Sequence, residues 1–195
     1  MTEPSTTGSP PAGRTANVLG ALALALADRL SEATAESAGH SQSAAAALSA
    51  LHQFLRRPSI DLLRQVLGLT PSGTVRLIDR LEAEGYVTRR PGADGRSLAI
   101  SLTASGRRAA ARVTAARADV LDRSLAVLSP AERDTLDKLS SRVLVGLMRG
   151  PGATRWICRL CDFRACGHDA GWCPVAQASR ARYPGDEDAS PIGDR

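Results

Sequence analysis

The chain of 195 residues has a single lysine, Lys138, and three histidines, His40, His52 and His168; outside residues 158–173 it has no cysteine. With so few histidines, and with no glycine-rich phosphate loop or convincing acid–base constellation, the sequence offers little from which to build an enzyme active site. Long hydrophobic runs are also missing. The apolar stretch from Val18 to Ala27 is closed by Asp28 and Arg29, well short of the ~20 residues that span a bilayer, which excludes a transmembrane helix there. A secretory leader needs a basic start, whereas residues 1–16 hold one Glu, one Arg and much Ser, Thr, Pro and Gly. The expected location is therefore the cytoplasm.

The length suits one domain of ordinary size with ragged ends. The net charge of +5 favours an anionic partner such as nucleic acid. That charge is concentrated: from Arg56 to Arg112 eleven arginines face five acids, a local balance of +6. Residues 1–15 and 183–195 have the composition of disordered tails.

Between them the apolar spacing predicts a mainly helical chain. Leu19, Leu22, Leu26 and Leu30 mark a helix from Ala16 to about Glu36, and Ala47, Leu51 and Leu55 mark another from Gln42 to about Arg56. Ser59 can cap a short helix to about Leu67; Gly68 and Leu69 form a turn, and Thr70 caps the next helix, which opens on Pro71 and ends at Gly85. In that helix Val75, Ile78, Leu81 and Leu77 are expected to face inward, leaving Ser72, Gly73, Thr74, Arg76 and Arg80 outside. Two short strands, Tyr86 to Arg90 and Ser97 to Leu102, flank the tip Pro-Gly-Ala-Asp-Gly-Arg and form a β-ribbon wing. Thr103 opens a long helix to about Leu128. Ser129-Pro-Ala-Glu132 is a capping box for the last core helix, with Leu136, Leu139, Val143 and Leu147 on one stripe up to Gly150-Pro151-Gly152.

The run from Leu69 to Arg90, followed by Asp94-Gly-Arg96 and Leu102-Thr-Ala-Ser-Gly106, resembles the MarR family of winged helix-turn-helix regulators. The flanking helices and Leu-Ser-Pro-Ala-Glu-Arg at 128–133 are similar too, so the resemblance covers about residues 15–150. It implies a winged helix-turn-helix with a two-stranded β wing and long flanking dimerisation helices. A homodimer would set two recognition helices on a pseudo-palindromic site in double-stranded DNA. It also implies a small-molecule effector, which no residue here identifies. Apolar residues on so many faces of Val18 to Ala27 fit such a dimer, and burial within one protomer would look the same.

The residues explain DNA contact on their own terms. Short polar side chains and arginine read base edges in the major groove, while arginines, hydroxyls and helix N-termini hold phosphates. On this basis the expected DNA-contacting set is Thr70, Ser72, Gly73, Thr74, Arg76 and Arg80 on the second helix, with Arg90, Asp94 and Arg96 on the wing. Arg80, four residues before Glu84, is equally suited to an ion pair. Arg96 can enter a narrow minor groove, and the resemblance implies that Asp94 orients it.

Cys158, Cys161, Cys166 and Cys173 are spaced Cys-x2-Cys-x4-Cys-x6-Cys, with Pro174 next and His168 between the last two. In a cytoplasmic protein such a cluster points to metal or redox chemistry more than to structural disulfides. The first pair is a metal knuckle, but the whole fits neither a typical zinc site nor a typical iron–sulfur loop. An iron–sulfur cluster, Zn2+, a metal-free thiol switch and unliganded cysteines all stay open, as does His168 as a ligand or as an exposed side chain. Phe163, Trp156 and Trp172 are expected to form an apolar shell. The cluster is a departure from the family pattern.

The reading is a winged-helix regulator, a repressor more readily than an activator, with residues 16–150 for DNA binding and dimerisation and 151–182 as a cysteine-rich loop for metal or redox sensing. The alternatives are a thiol or iron–sulfur redox enzyme and a metal-binding protein with an inherited DNA-binding fold.

Overall fold

The computed structural model describes residues 11–38, 41–92 and 98–185. The helices are α1 (Arg14–Ala38), α2 (Gln42–Gln53), α3 (Ile60–Leu67), α4 (Pro71–Ala83), α5 (Ala104–Leu125), α6 (Pro130–Gly146), α7 (Ala153–Ile157) and α8 (Pro174–Arg182). The strands β1 (Val87–Pro91) and β2 (Leu98–Leu102) pair antiparallel between α4 and α5, with Val87 opposite Leu102 and Pro91 opposite Leu98. The chain is therefore a mainly helical winged helix-turn-helix, as the sequence pattern implies.

Local signals fix most boundaries. Ser59 accepts a hydrogen bond from the Leu62 amide at 3.2 Å, Thr70 from Gly73 at 3.1 Å and Thr103 from Gly106 at 3.0 Å, each satisfying an amide that the first helical turn leaves unpaired. Gly68 ends α3 in the left-handed region at φ 65°, where a Cβ would be strained. The Glu132 carboxylate accepts from the Ser129 amide at 2.8 Å, closing the capping box of α6. α1 begins at Arg14, so the first turn of helix takes in residues that composition assigns to a tail. α5 ends at Leu125 rather than Leu128, because residues 126–128 make the turn that delivers Ser129 to its cap.

One core lies between α2, α3, α4, α5 and the wing, built on Leu48, Leu63, Val66, Ile78, Leu81, Val87, Ile100 and Val113, none more than 1 % exposed. The wing's base gains a third partner: the Ile100 amide donates to the Pro58 carbonyl at 2.9 Å, and the Arg57 guanidinium donates to the Pro91 carbonyl at 2.8 Å. The outer helices differ. α6 has no buried residue, and Leu136, Leu139, Val143 and Leu147 stand 36 to 59 % exposed, as do Val18, Leu19, Leu22 and Leu24 on α1 at 48 to 70 %. Among the described residues no helix is long and apolar enough to cross a membrane.

Candidate nucleic-acid interface and cysteine module

The exposed face of α4 is set by which side chains its inner face consumes. Thr74, Leu77, Ile78 and Leu81 are buried at i, i+3, i+4 and i+7. This corrects two expectations: Thr74 is fully buried, and Val75, expected inside, is 43 % exposed. The reason is chemical. The Thr74 hydroxyl donates to the Thr70 carbonyl at 3.0 Å, so its polar atom is satisfied within the helix and its methyl can join the core. Thr74 therefore anchors the helix and is withdrawn from the face a ligand could reach.

Ser72, Arg76 and Arg80 do lie on the open face, with Thr70 at its start and Gly73 partly covered. Arg76 is already oriented, donating to the Ser72 carbonyl at 3.3 Å and the Ser72 hydroxyl at 3.4 Å. Gly73 fits the cap tightly: a Cβ there would meet Thr70 Oγ1 at 3.0 Å. Arg90 is exposed on β1. Asp94 and Arg96, expected at the wing tip, lie outside the described residues.

A residue the sequence reading passed over ties wing to helix. Arg89 of β1 forks between Asp79 and Glu82 on α4, and its amide also donates to Glu82 at 3.0 Å. Its guanidinium side chain is 21 % exposed, its partners 56 and 37 %. The signal available was the i, i+3 pair of acids on a helix otherwise expected to be basic outside. Arg89→Ala should cost about 1–2 kcal/mol, because charge-assisted forked bonds are lost but solvent screens much of the pair. Urea unfolding checks this, and Arg89→Lys, which cannot fork, should recover only part of it.

The cysteines sit in a small module over residues 151–185, built around buried Ala153, Cys158, Phe163, Cys173, Val175 and Ala176. It is more ordered than a loop, since α7 and α8 frame it. The four thiols, all free, gather in this cluster, Cys158 and Cys173 buried and Cys161 and Cys166 packed against it. Cys173 is held well below the usual thiol range, first by the bonds from Cys158 and Cys166 and then by the amides of Ala176 and Val175 at the start of α8. Cys161 is lowered, first by Cys158 and further by the Arg117 guanidinium of α5, while Cys158 and Cys166 are raised by the same hydrogen bonds and by burial. Among the described residues no group of three or more His, Cys, Asp or Glu is arranged to hold a metal ion.

The aromatic shell is only partly as expected. Phe163 is buried and Trp156 packs on the module, whereas Trp172 is 77 % exposed. His168, expected either as a ligand or as an exposed side chain, is 1 % exposed: it stacks on Phe163 at 4.3 Å, its Nδ1 lies 3.3 Å from Asp169, and its Nε2 has no hydrogen-bond partner. A cavity of about 80 Å³ lies along the seam between this module and the core, lined by Gln42, Ser43, Ala46, Leu67, Arg159 and Leu160.

Comparison with known proteins agrees with this architecture. Residues 39–97 match the MarR family. A probable transcriptional regulator from Pseudomonas aeruginosa is 26 % identical with a TM-score of 0.52, covering 67 % of this chain and 99 % of its own. The MarR family protein RV2887 of Mycobacterium tuberculosis is 23 % identical with a TM-score of 0.55, over 68 % of this chain and 95 % of its own. A MepR mutant of Staphylococcus aureus, solved bound to an oligodeoxyribonucleotide, is 18 % identical with a TM-score of 0.52, over 69 % and 98 %. No protein of curated function matches the chain. The matched segment is similar to the MarR family, and the fold is the winged helix of these solved structures.

Proposed function

We propose that this protein is a homodimeric transcriptional regulator, acting as a repressor, that binds a pseudo-palindromic site in double-stranded DNA. The observation that carries this reading is the open face of α4, where Ser72, Arg76 and Arg80 project from a helix whose N-terminus is capped by Thr70. Such a helix can lie in the major groove, its first amides near phosphate and its arginines at base edges. Gly73 keeps the helix start narrow, Arg90 is offered beside the groove, and Arg96 would enter the adjacent minor groove with Asp94 orienting it. Thr74 has a supporting role only. The unburied stripes of α1 and α6 favour the dimer, since two copies would bury them together.

In the same reading the module of Cys158, Cys161, Cys166 and Cys173 holds a thiophilic centre, Zn2+ or an iron–sulfur cluster, through which DNA binding reports on metal or redox state. What supports it is the donor chemistry: four cysteines gathered in one small module, two of them drawn towards thiolate, under a partly apolar cover. A small-molecule effector remains part of the proposal, without a residue assigned to it.

Selection from a random duplex pool tests the function. The expected result is a two-fold symmetric consensus, bound by wild type and lost on Ser72→Ala with Arg76→Ala. Arg76→Ala alone should reduce the slope of log K against log salt by about one if the arginine holds a phosphate. Absence of any enriched sequence would refute the reading.

A further inference from the structure

Among the described residues Arg57 stands alone, glycines apart, in the left-handed region, at φ 53°. An L side chain is crowded there by the following carbonyl, so the conformation persists only where something else holds it. Core packing does not: Arg57 is exposed, between exposed Arg56 and buried Pro58. What its side chain makes is a long-range bond, the guanidinium donating to the Pro91 carbonyl at 2.8 Å, 34 positions along the chain.

The neighbouring backbone explains why that bond reaches the wing. Pro58 and Ser59 run beside β2: the Ile100 amide donates to the Pro58 carbonyl at 2.9 Å, and Ser59 forms an antiparallel bridge with Ala99. Ala99 pairs on its other side with Arg90, so the linker, β2 and β1 lie side by side in that order. Arg57 therefore reaches past β2 to Pro91, the last residue of β1. Arg89, two residues nearer the base, already fastens β1 to Asp79 and Glu82 of α4; Arg57 acts about 7 Å farther out along the strand. The linker is itself fixed from behind. Phe54 stacks on Phe163 with ring centroids 5.2 Å apart and planes within 7°, and the Phe163 amide donates to the Gln53 side chain at 3.2 Å. A two-stranded ribbon is marginal by itself and can pivot about one anchor; two anchors at different heights fix its pitch.

We propose that Arg57 is a positioning residue for the wing: its guanidinium ties the outer end of β1 to the α2–α3 linker, from a left-handed backbone retained because it aims the side chain at Pro91. A single exposed bond adds little to global stability, so its effect falls on where the wing stands relative to α4. That role rests on the DNA-binding reading, in which α4 takes the major groove and the wing the adjacent minor groove; the tie itself does not.

Arg57→Gly separates the tie from the fold, since glycine takes φ 53° freely and removes the donor. The full chain of this variant should melt within about 2 °C of wild type. Amides of β1 and β2 in the free protein should exchange with solvent about 3–10-fold faster, the effect of removing one hydrogen bond. On a duplex enriched by wild type from a random pool, affinity should fall about 10-fold, the scale of one lost base-level contact. Hydroxyl-radical protection of the minor groove should weaken while protection of guanine N7 in the major groove stays. Arg57→Lys, which keeps a donor on a long side chain, should restore most of the exchange protection and of the footprint. Exchange as in wild type, or no recovery with Arg57→Lys, would overturn the tie; so would a midpoint more than about 5 °C lower, which would make Arg57 a support of the fold and not of the wing. Faster exchange with unchanged affinity and footprint would remove the positioning role. A wild type that binds no duplex would overturn the regulator reading and leave the tie to be decided by exchange.

Discussion

Arginine in place of both Leu139 and Leu147 should leave a folded monomer whose DNA affinity is at least about 100-fold weaker than that of wild type. Both leucines, Leu139 on α6 and Leu147 at its C-cap, are more than half exposed, so neither change opens a cavity in the protomer. In a two-fold dimer each position occurs twice, and burying a leucine contributes about 1.5–3 kcal/mol, so the pair of substitutions removes several times the free energy of a typical single change and sets four cations in the interface. A monomer presents one α4 to one half-site and loses the gain from joining two binding events. Light scattering with size exclusion gives the oligomeric state, circular dichroism the fold and anisotropy the affinity. A variant that stays dimeric, or a monomer that binds DNA as wild type does, would contradict the arrangement.

Gly106→Ala should lower the thermal midpoint by about 5–10 °C, although alanine is the better helix former by about 1 kcal/mol. At this third position of α5 a Cβ would lie 2.0 Å from the Tyr86 carbonyl oxygen, 2.9 Å from its carbon and 3.0 Å from Leu102. Backbone cannot rotate away as a side chain can. The same carbonyl accepts from the Thr103 amide at 3.0 Å, and the Thr103 hydroxyl donates to Gly85 at 2.6 Å, so retreat would pull apart the junction of α4, β1 and α5. Overpacking of this kind costs about 1–3 kcal/mol or more, which exceeds the gain in propensity. A midpoint equal to or above that of wild type in calorimetry would show that the junction can yield.

What could be read from the chain divides along a physical line. Caps at Ser59, Thr70, Thr103 and Ser129 were legible because a cap needs only residues within one turn. The inner face of α4 was misjudged because valine outranks threonine on hydrophobicity, while threonine can hide its hydroxyl in the helix and expose nothing polar. Arg89 was missed because its partners are seven and ten residues away and meet it only when β1 turns back on α4. The cysteine spacing announced a cluster. That the four cysteines share one cluster, and that His168 is buried under Phe163, depend on a segment with no periodicity to read. The stripes of α1 and α6 were visible as stripes, but whether they face their own core or another copy is decided by packing.

The stacking of Phe163 on Phe54 also bears on where this protein can be cut. A fragment stopped at Gly150 would strip Phe54 of its ring partner, Gln53 of its amide donor, and Leu144 and Met148 of their cover. Those surfaces lie against the helix-turn-helix and against α6, so the shortened piece would carry new sticky patches next to both. A minimal fragment for solution work should therefore extend through Tyr183, past the end of α8, and a fragment chosen by the reach of the matched family alone should be expected to precipitate.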